Sequence, residues 1–246
     1  MSGKPLVAVF RPDDDRIESA ITLLESMGVE PLADPMLSIR ATGETPRRDA
    51  EYTVFTSKTG IELAAEAGWV PGNTAFVAIG PTTASAAEEA GYEVDVVPEE
   101  YTSAGIVEAL ANDIDGSRVE VARSDHGSEV LLDGLEAAGA YVHETVLYEL
   151  VVPEGAGRSV ELAAEGKLDA VLFTSSLTVE HFVEVAEERG IAGGAIEGLE
   201  AAVVSVIGPP TADTAADLGI EVDVVPSEAS FETQAKETLA KLGIEQ

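Results

Sequence analysis

The sequence predicts an α/β protein made of two similar doubly wound parallel-sheet domains that are joined by a two-stranded antiparallel linker. Short apolar runs rich in β-branched residues alternate with amphipathic segments, which is typical of buried parallel strands covered by helices. Residues 79–100 and 207–228 are identical at 14 of 22 positions, at a constant offset of 128. A shorter match relates 54–62 to 172–180. One order of strands and helices therefore occurs twice, which indicates two domains.

The predicted strands are the short apolar runs of the chain. In order, they are 6–10, 52–55, 75–79, 94–97, 118–122, 170–173, 203–207 and 222–225. Between the strands, apolar residues recur three or four positions apart, as in 17–27 and 129–138, and this spacing predicts helices with one buried face.

The two repeats are interleaved in the chain. Residues 6–28 resemble 119–139, because both read strand, Arg, a short polar turn, amphipathic helix and Gly. The first copy opens the chain, whereas the second closes its middle block. We therefore expect a discontinuous domain, 1–34 plus 154–246, and an inserted domain, 44–143. The extended segments that connect them, 35–43 and 144–153, are expected to pair as antiparallel linker strands.

The formal net charge is −32, from 46 acidic and 14 basic residues, and the acidic residues are spread over predicted helix faces. Such a charge argues against a nucleic-acid partner, which requires a basic surface. It predicts a halophilic protein, since the Debye length in molar salt is only about 3 Å. No apolar run approaches the ~20 residues of a membrane span. With no Cys and no signal-peptide pattern at the N-terminus, we expect a cytoplasmic protein.

Four predicted helices begin directly after a strand, with a Thr-Ser or a Gly-Pro-x-Thr sequence. The free N–H groups of such a helix start, with hydroxyl groups beside them, can bind an anion. At any single start the hydroxyls can be ordinary caps, but four equivalent starts favour a large ligand with several anionic groups. The second repeat has Pro210 in place of Thr82. The candidate binding residues are Ser57, Lys58, Thr59, Thr82, Thr83, Ser175, Ser176 and Thr211.

Two Arg residues stand at equivalent strand ends in a chain that has few basic residues. Arg11 and Arg123 could each bind a carboxylate through two hydrogen bonds. Local salt bridges are the alternative, and the sequence leaves both interpretations open. The acidic residues that lie close to them in the chain are Asp13, Asp14 and Asp125.

The ordered set of motifs resembles the uroporphyrinogen-III synthase family. The matching segments are FTSKTG, VAIGPTTASAAEEAG, VEVARSDHG, ETVLYEL, FTSSLTVEHF and IGPPTADTAADLGIEVDVVP, which together extend over nearly the whole chain. The resemblance implies a cofactor-free lyase of tetrapyrrole biosynthesis. It would cyclise hydroxymethylbilane to uroporphyrinogen III, with inversion of the last pyrrole ring and loss of water.

The resemblance also implies a catalytic residue and partners. Tyr148 would face the cleft between the domains and help the terminal hydroxyl of the substrate to leave. Strand alternation puts Tyr148 on one face with Val146 and Leu150, so a packing role is the alternative. The substrate would be a linear tetrapyrrole with eight carboxylates, handed over transiently by hydroxymethylbilane synthase. We expect a monomer, with no nucleic-acid or membrane partner.

The sequence motifs of several other enzyme classes are absent. There is no P-loop, no G-x-G-x-x-G after the first strand and no G-x-S-x-G elbow. His126, His143 and His181 have no ligand-like spacing, so no metal is expected. The alternative function is a hinged two-domain module that binds an anionic small molecule without catalysis. A nucleotide-sugar transferase is a third possibility, although no nucleotide contacts can be identified.

Overall fold

The computed structural model of the chain describes residues 3–12 and 15–244. The structure divides into two compact units. Unit 1 lies within Met1–Ser38 and Val151–Gln246, and unit 2 is Ile39–Leu150.

The strands are short and occur in both units. In chain order they are β1 (Leu6–Phe10), β2 (Glu30–Ala33), β3 (Ser38–Ala41), β4 (Tyr52–Phe55), β5 (Ala75–Ala78), β6 (Arg118–Ser124), β7 (Tyr141–Val151), β8 (Ala170–Phe173) and β9 (Val203–Val206).

The helices alternate with these strands. In chain order they are α1 (Asp15–Ser26), α2 (Lys58–Glu66), α3 (Pro81–Glu89), α4 (Ser103–Leu110), α5 (Glu129–Ala137), α6 (Arg158–Ala164), α7 (Ser176–Glu188), α8 (Ala192–Leu199), α9 (Pro209–Asp217) and α10 (Phe231–Lys241).

The two sheets share one strand order. Unit 1 contains β2-β1-β8-β9, and unit 2 contains β7-β6-β4-β5, with β3 added beside β7. Every pair within the two four-strand sets is parallel. The strands related by the sequence repeat, β4 with β8 and β5 with β9, occupy equivalent positions. The N-terminal strand β1 occupies the position of β6. The predicted α/β class with parallel sheets is therefore confirmed.

Each sheet is apolar on both faces, which explains why its strands read as continuous apolar runs. In unit 1, the rings of Phe10 and Phe173 stack with centroids 4.7 Å apart. In unit 2, Phe55 and Phe76 stack at 5.2 Å, and the ring of Trp69 packs edge-on against Phe55 at 5.5 Å. Phe10, Phe55 and Phe173 are the last residues of their strands, so the turns that follow these strands lie next to packed aromatic rings.

The prediction of strands is wrong for two segments. Segments 94–97 and 222–225 form only isolated bridges, Val77 to Val96 and Ser205 to Val224. The reason is the same in both repeats, because an Asp side chain takes a backbone donor of the neighbouring strand. The Asp95 carboxylate accepts a hydrogen bond from the N–H of Phe76 (2.7 Å), and Asp223 accepts one from Val204 (3.1 Å).

Strand β2, which contains Pro31, was not predicted from the sequence. This strand pairs with β1 alone and lies at the edge of its sheet, where a residue without an N–H is tolerated.

The extended segments predicted at 35–43 and 144–153 contain β3 and most of β7, and they add an edge to the sheet of unit 2. The Thr42 N–H donates to the Leu147 carbonyl (3.0 Å), and the Ser38 hydroxyl donates to the Val151 carbonyl (3.4 Å). Arg40 lies between them in sequence and pairs with Glu149 (2.5 Å). These contacts show that the two segments run in opposite directions.

Candidate functional site

Four helices begin directly after parallel strands, as the repeats predict. Helices α2 and α3 follow β4 and β5, whereas α7 and α9 follow β8 and β9. The carboxyl ends of parallel strands meet at one edge of a sheet, which is the usual ligand edge of doubly wound folds. Each unit therefore presents two helix starts, with their free N–H groups, at one sheet edge.

Hydroxyl groups cap two of these four helices. Ser57 caps α2 by accepting from the Gly60 N–H (3.0 Å), and Ser175 caps α7 in a reciprocal capping box with Thr178. Helices α3 and α9 have Gly80 and Gly208 as N-caps, without a side-chain hydrogen bond. Hydroxyl capping is therefore wrong for these two helices.

The Thr residues of α3 and α9 lie inside the first helical turn. Thr83 and Thr211 are equivalent in the repeat, and each is only 4% exposed. Thr82 is exposed. Because Thr83 and Thr211 are buried, their side chains offer little contact surface to a ligand. The backbone N–H groups at both helix starts can bind an anion without a hydroxyl group.

Two further polar residues at the helix starts, Lys58 and Ser176, have partners within their own unit. Lys58 is exposed and pairs with Glu62 one turn further along α2 (3.2 Å). The Ser176 hydroxyl donates to the Pro210 carbonyl (3.2 Å) and accepts from Thr214 (2.9 Å), so it joins the starts of α7 and α9. Thr59 is half-buried.

A pair of hydroxyl groups lies at the carboxyl edge of unit 2. The Tyr148 hydroxyl, on β7, donates to Ser57 Oγ at the start of α2 (2.9 Å). Tyr148 is 7% exposed and belongs to the apolar cluster around Phe55. In the sheet, only β6 lies between β7, which carries Tyr148, and β4, which precedes Ser57. The structure thus brings together two residues that the sequence selected for different reasons.

A β-bulge determines the orientation of Tyr148. Arg123 pairs with Val146, but the next residue, Ser124, pairs with Tyr148, so Leu147 is an extra residue in β7. Leu147 and Tyr148 are consequently both buried in the same cluster, with Leu150 packed against it. Strict alternation put Tyr148 on one face with Val146 and Leu150. It holds for Leu150 but is wrong for Val146, because the bulge lies between Val146 and Tyr148.

Asp125, directly after β6, fixes the end of β7 beyond the bulge. Its N–H donates to the Tyr148 carbonyl (3.2 Å), and its carboxylate accepts from the N–H of Leu150 (3.0 Å). Burial opposes the charge of Asp125, but hydrogen bonds from His126 and Leu150 outweigh it and lower the pKa of Asp125. Sequence reasoning treated Asp125 only as a salt-bridge partner and missed this positioning role.

Arg123 is buried in unit 2 and has partners there. Its side chain is 3% exposed, and its guanidinium donates to Glu144 (2.5 Å) and to the carbonyl of Ser128 (2.6 Å). Glu129 lies 3.5 Å away. A side chain at Gly127 would overlap the guanidinium. This geometry favours the salt-bridge interpretation, although the partners are Glu144 and Glu129 rather than Asp125.

Replacing Arg123 by Met should lower the free energy of unfolding by about 3 kcal/mol, because it leaves the acceptors of a buried guanidinium unpaired. Urea unfolding in high salt measures this loss. Arg118→Met is the matched control, since Arg118 starts the same strand and pairs with Glu51 and Asp49, but half of its side chain is exposed. Its loss should be much smaller. Equal losses would contradict a structural role that depends on burial.

Arg11 directly follows β1 at the carboxyl edge of unit 1. It is half-buried, and its guanidinium carbon lies 4.8 Å from the ring centroid of Phe231, the first residue of α10. The ring therefore supports the guanidinium through a cation–π contact. The suggested partners Asp13 and Asp14 lie outside the described residues.

The three His residues have separate environments. His126 contacts Asp125, His143 contacts the buried Glu120, and His181 contacts the carbonyl of Met36. Within 3–12 and 15–244, no three His, Cys, Asp or Glu side chains are grouped to hold a metal ion. Over the same ranges, no helix has the length and apolar character needed to cross a membrane.

A surface depression of about 610 Å³ in unit 1 lies away from the candidate residues. It is bounded by residues such as Leu199, Glu200, Gly219 and Asp223. None of the residues selected from the sequence lines it. This depression therefore does not coincide with the candidate residues, which lie at the carboxyl edges of the parallel strands.

Comparison with known proteins gives a consistent result. Residues 18–235 match the family model described as "Uroporphyrinogen-III synthase HemD". A protein of Methanothermobacter thermautotrophicus, provisionally named as a uroporphyrinogen-III synthase, is 37% identical over 221 residues, which are 83% of this chain and 86% of that protein. The uroporphyrinogen-III synthase of Synechococcus elongatus is 26% identical over 75% of this chain and 72% of its own length.

Two solved structures share the fold. A mutant uroporphyrinogen III synthase from Thermus thermophilus has a TM-score of 0.67 at 20% identity, over 98% of this chain and 100% of that one. The uroporphyrinogen-III synthetase of Helicobacter pylori has a TM-score of 0.60 at 15% identity, over 97% and 99%. The resemblance inferred from the ordered motifs is therefore confirmed, and the chain belongs to the uroporphyrinogen-III synthase family.

Proposed function

We propose that this protein cyclises hydroxymethylbilane to uroporphyrinogen III and water, inverting the last pyrrole ring, and that Tyr148 is its catalytic residue. The reaction is a carbon–oxygen lyase step that needs no cofactor. The observation that carries the proposal is the hydroxyl pair of Tyr148 and Ser57 at the ligand edge of unit 2.

The hydroxyl pair leaves one hydrogen for a ligand. Tyr148 and Ser57 have two hydroxyl hydrogens, and one of them lies in the bond between the two oxygens. The Gly60 N–H already occupies an acceptor site on Ser57. If the Ser57 hydroxyl rotates to donate to Tyr148, the phenol hydrogen becomes available to the substrate. A phenol that accepts one hydrogen bond is polarised as a donor for the next.

The phenol would act on the leaving group. Donation from Tyr148 to the terminal hydroxyl assists cleavage of its carbon–oxygen bond, so that water leaves and an azafulvene cation remains. The substituted carbon of the last ring attacks this cation and forms a spiro intermediate. The intermediate fragments, recloses with the ring inverted and loses a proton, which balances the proton taken up by the departing hydroxyl.

The protein would select one closure over another by holding the chain of rings. The free substrate cyclises to the uninverted isomer, so orientation is the main contribution asked of the enzyme. The helix starts at Ser57, Thr82 and Ser175, with Arg11, are proposed to hold carboxylate arms. Thr59, Thr83, Ser176, Thr211, Lys58 and Arg123 stay predicted contacts, and Arg123 is the weakest of them because of its buried ion pairs.

The setting of the reaction completes the proposal. The protein is proposed to act as a monomer in the cytoplasm and to receive hydroxymethylbilane by transient handover from hydroxymethylbilane synthase. Long-range repulsion between a −32 chain and an anionic substrate would be removed by molar salt, so capture would depend on short-range contacts.

A coupled assay in high salt tests the activity. Hydroxymethylbilane synthase supplies the substrate, and chromatography separates the oxidised products into isomers I and III. We expect isomer III well above the background of a reaction without the protein. If folded protein gives isomer I alone, the cyclase proposal is wrong, and a binding module without catalysis becomes the better interpretation.

A further inference from the structure

The described chain has two largely exposed Tyr residues, and they lie at opposite edges of unit 2. Tyr101 is 60% exposed and precedes α4, whereas Tyr141 is 70% exposed and begins β7. The other three donate their hydroxyls to protein acceptors: Tyr52 to Asp113, Tyr92 to Trp69 and Tyr148 to Ser57. Over the described residues, no protein hydrogen bond is made by the Tyr101 hydroxyl.

Tyr101 lies against a Gly at the ligand edge. A Cβ atom built on Gly80 would be 3.2 Å from the Cβ of Tyr101 and 3.3 Å from Cγ of its ring. The missing side chain of Gly80 thus allows the aromatic side chain to lie close to the backbone at the N-cap of α3. The aromatic ring is held at this turn and still exposes most of its surface.

This turn neighbours the hydroxyl pair of the proposed site. Gly80 follows β5, and the Ile79 N–H donates to the Phe55 carbonyl (3.0 Å), so β5 and β4 pair up to their ends. Ser57 stands two residues beyond β4. Adjacent strands are about 5 Å apart, and the turns at Gly80 and Ser57 are therefore neighbours on one edge.

The repeat in unit 1 lacks this feature. At an offset of 128, Tyr101 corresponds to Ala229 and Gly80 to Gly208. A Cβ on Gly208 would meet only the Cδ of Pro210, at 4.0 Å. The exposed ring is thus specific to the unit that contains Tyr148 and is not a shared packing element of the duplicated fold.

We propose that Tyr101 binds substrate, with its exposed ring packed against a pyrrole ring of the linear tetrapyrrole. The inference rests on the proposed function for the identity of the ligand. A pyrrole presents a flat, electron-rich face, for which an offset or edge-on aromatic contact is favourable. The phenol ring of Tyr101 carries no charge, so it can pack against a pyrrole ring without adding to the repulsion between the protein and the carboxylates of the substrate. Glu99 and Glu100 precede Tyr101, and their repulsion is screened in molar salt.

The test combines kinetics with binding in molar salt. Tyr101→Ala should raise KM for isomer III formation about tenfold while kcat stays within about twofold, since the ring contact acts in ground state and transition state alike. Tyr101→Phe keeps the ring and should retain the KM of the unsubstituted protein. Tyr141→Ala, at the opposite edge, is the matched control and should leave KM unchanged. Thermal unfolding verifies that each variant is folded.

Equilibrium binding of uroporphyrinogen III, kept reduced under anaerobic conditions, separates this inference from the proposed function. If the protein forms isomer III but Tyr101→Ala changes neither KM nor binding, the Tyr101 contact is wrong and the cyclase stands. If no isomer III forms but binding is weakened by Tyr101→Ala, the contact stands and the cyclase is wrong. Equal losses in Tyr101→Phe and Tyr101→Ala would overturn the ring contact in favour of a hydroxyl hydrogen bond.

Discussion

The Tyr148→Phe variant is expected to form isomer III with a kcat about 100-fold lower than that of the unsubstituted protein. The substitution removes the hydrogen that would assist the leaving hydroxyl, and loss of a positioned proton donor typically costs that much or more. Because the ring and its packing in the Phe55 cluster remain, KM should change little. The coupled assay measures both constants, and the share of isomer I should rise as spontaneous closure competes.

Tyr92→Phe is the matched control for this variant. The Tyr92 hydroxyl is also in unit 2, and it donates to the carbonyl of Trp69 (2.7 Å). Burial raises the pKa of the Tyr92 phenol, so it serves as a neutral structural donor. Each variant should lose about 1 kcal/mol of stability with its hydrogen bond, but Tyr92→Phe should keep its kcat.

Two results would remove Tyr148 from its catalytic role. One is a kcat for Tyr148→Phe within twofold of that of the unsubstituted protein. The other is an equal fall in both Phe variants, which would assign the effect to general loosening of unit 2. Measuring the urea midpoint of each variant alongside its kcat separates these two explanations.

Removing salt is expected to unfold the protein. At −32, repulsion between exposed carboxylates extends over the Debye length, which rises from about 3 Å at 1 M to about 30 Å at 0.01 M. The basic residues that pair with acids do so mainly at the surface, as Lys58–Glu62 and Lys236–Glu232 do, and such pairs compensate little. The melting temperature should therefore rise steeply with potassium chloride, and isomer III formation should rise with it.

A charge-reduced variant tests whether screening is the cause. Six exposed Glu residues can be changed to Gln without touching the proposed site; they are Glu88, Glu89, Glu187, Glu188, Glu197 and Glu200. This variant should need less salt than the parent to reach the same melting temperature. An unchanged melting temperature of the parent between 10 mM and 2 M salt would contradict the halophilic interpretation, and so would activity that is flat or falls with salt while the fold is intact.

The duplicated sequence made most of the fold predictable. Matched motifs identified the strands that precede the four helix starts, and the copy of the strand–Arg unit located β1 in the sheet of the C-terminal segment. The failures have local causes. The segments around Asp95 and Asp223 have the composition of strands, but each Asp carboxylate takes the place of a backbone acceptor. Strand propensity does not predict such a tertiary hydrogen bond.

The residues of the candidate site could be selected from the sequence, but their arrangement could not. Ser57 and Tyr148 could be selected separately from a helix start and a family resemblance. Their contact depends on a bulge at Leu147, and a single inserted residue leaves no periodic signal in a strand of this length. Tyr101 could have been noticed as a Tyr beside two Glu residues, but its position depends on the Gly80 turn, to which no local sequence pattern connects it.

The interleaved strand order has a consequence for synthesis on the ribosome. Strand β1 pairs with β8, so the sheet of unit 1 joins residues near Val7 to residues near Ala170. Unit 2 is continuous, within Ile39–Leu150. At ~5–20 residues per second, the nascent chain completes unit 2 first, and β1 and β2 must wait as an unfinished sheet until β8 emerges. During that interval the apolar side chains of β1, which are buried in the finished sheet, are exposed to chaperones and to aggregation.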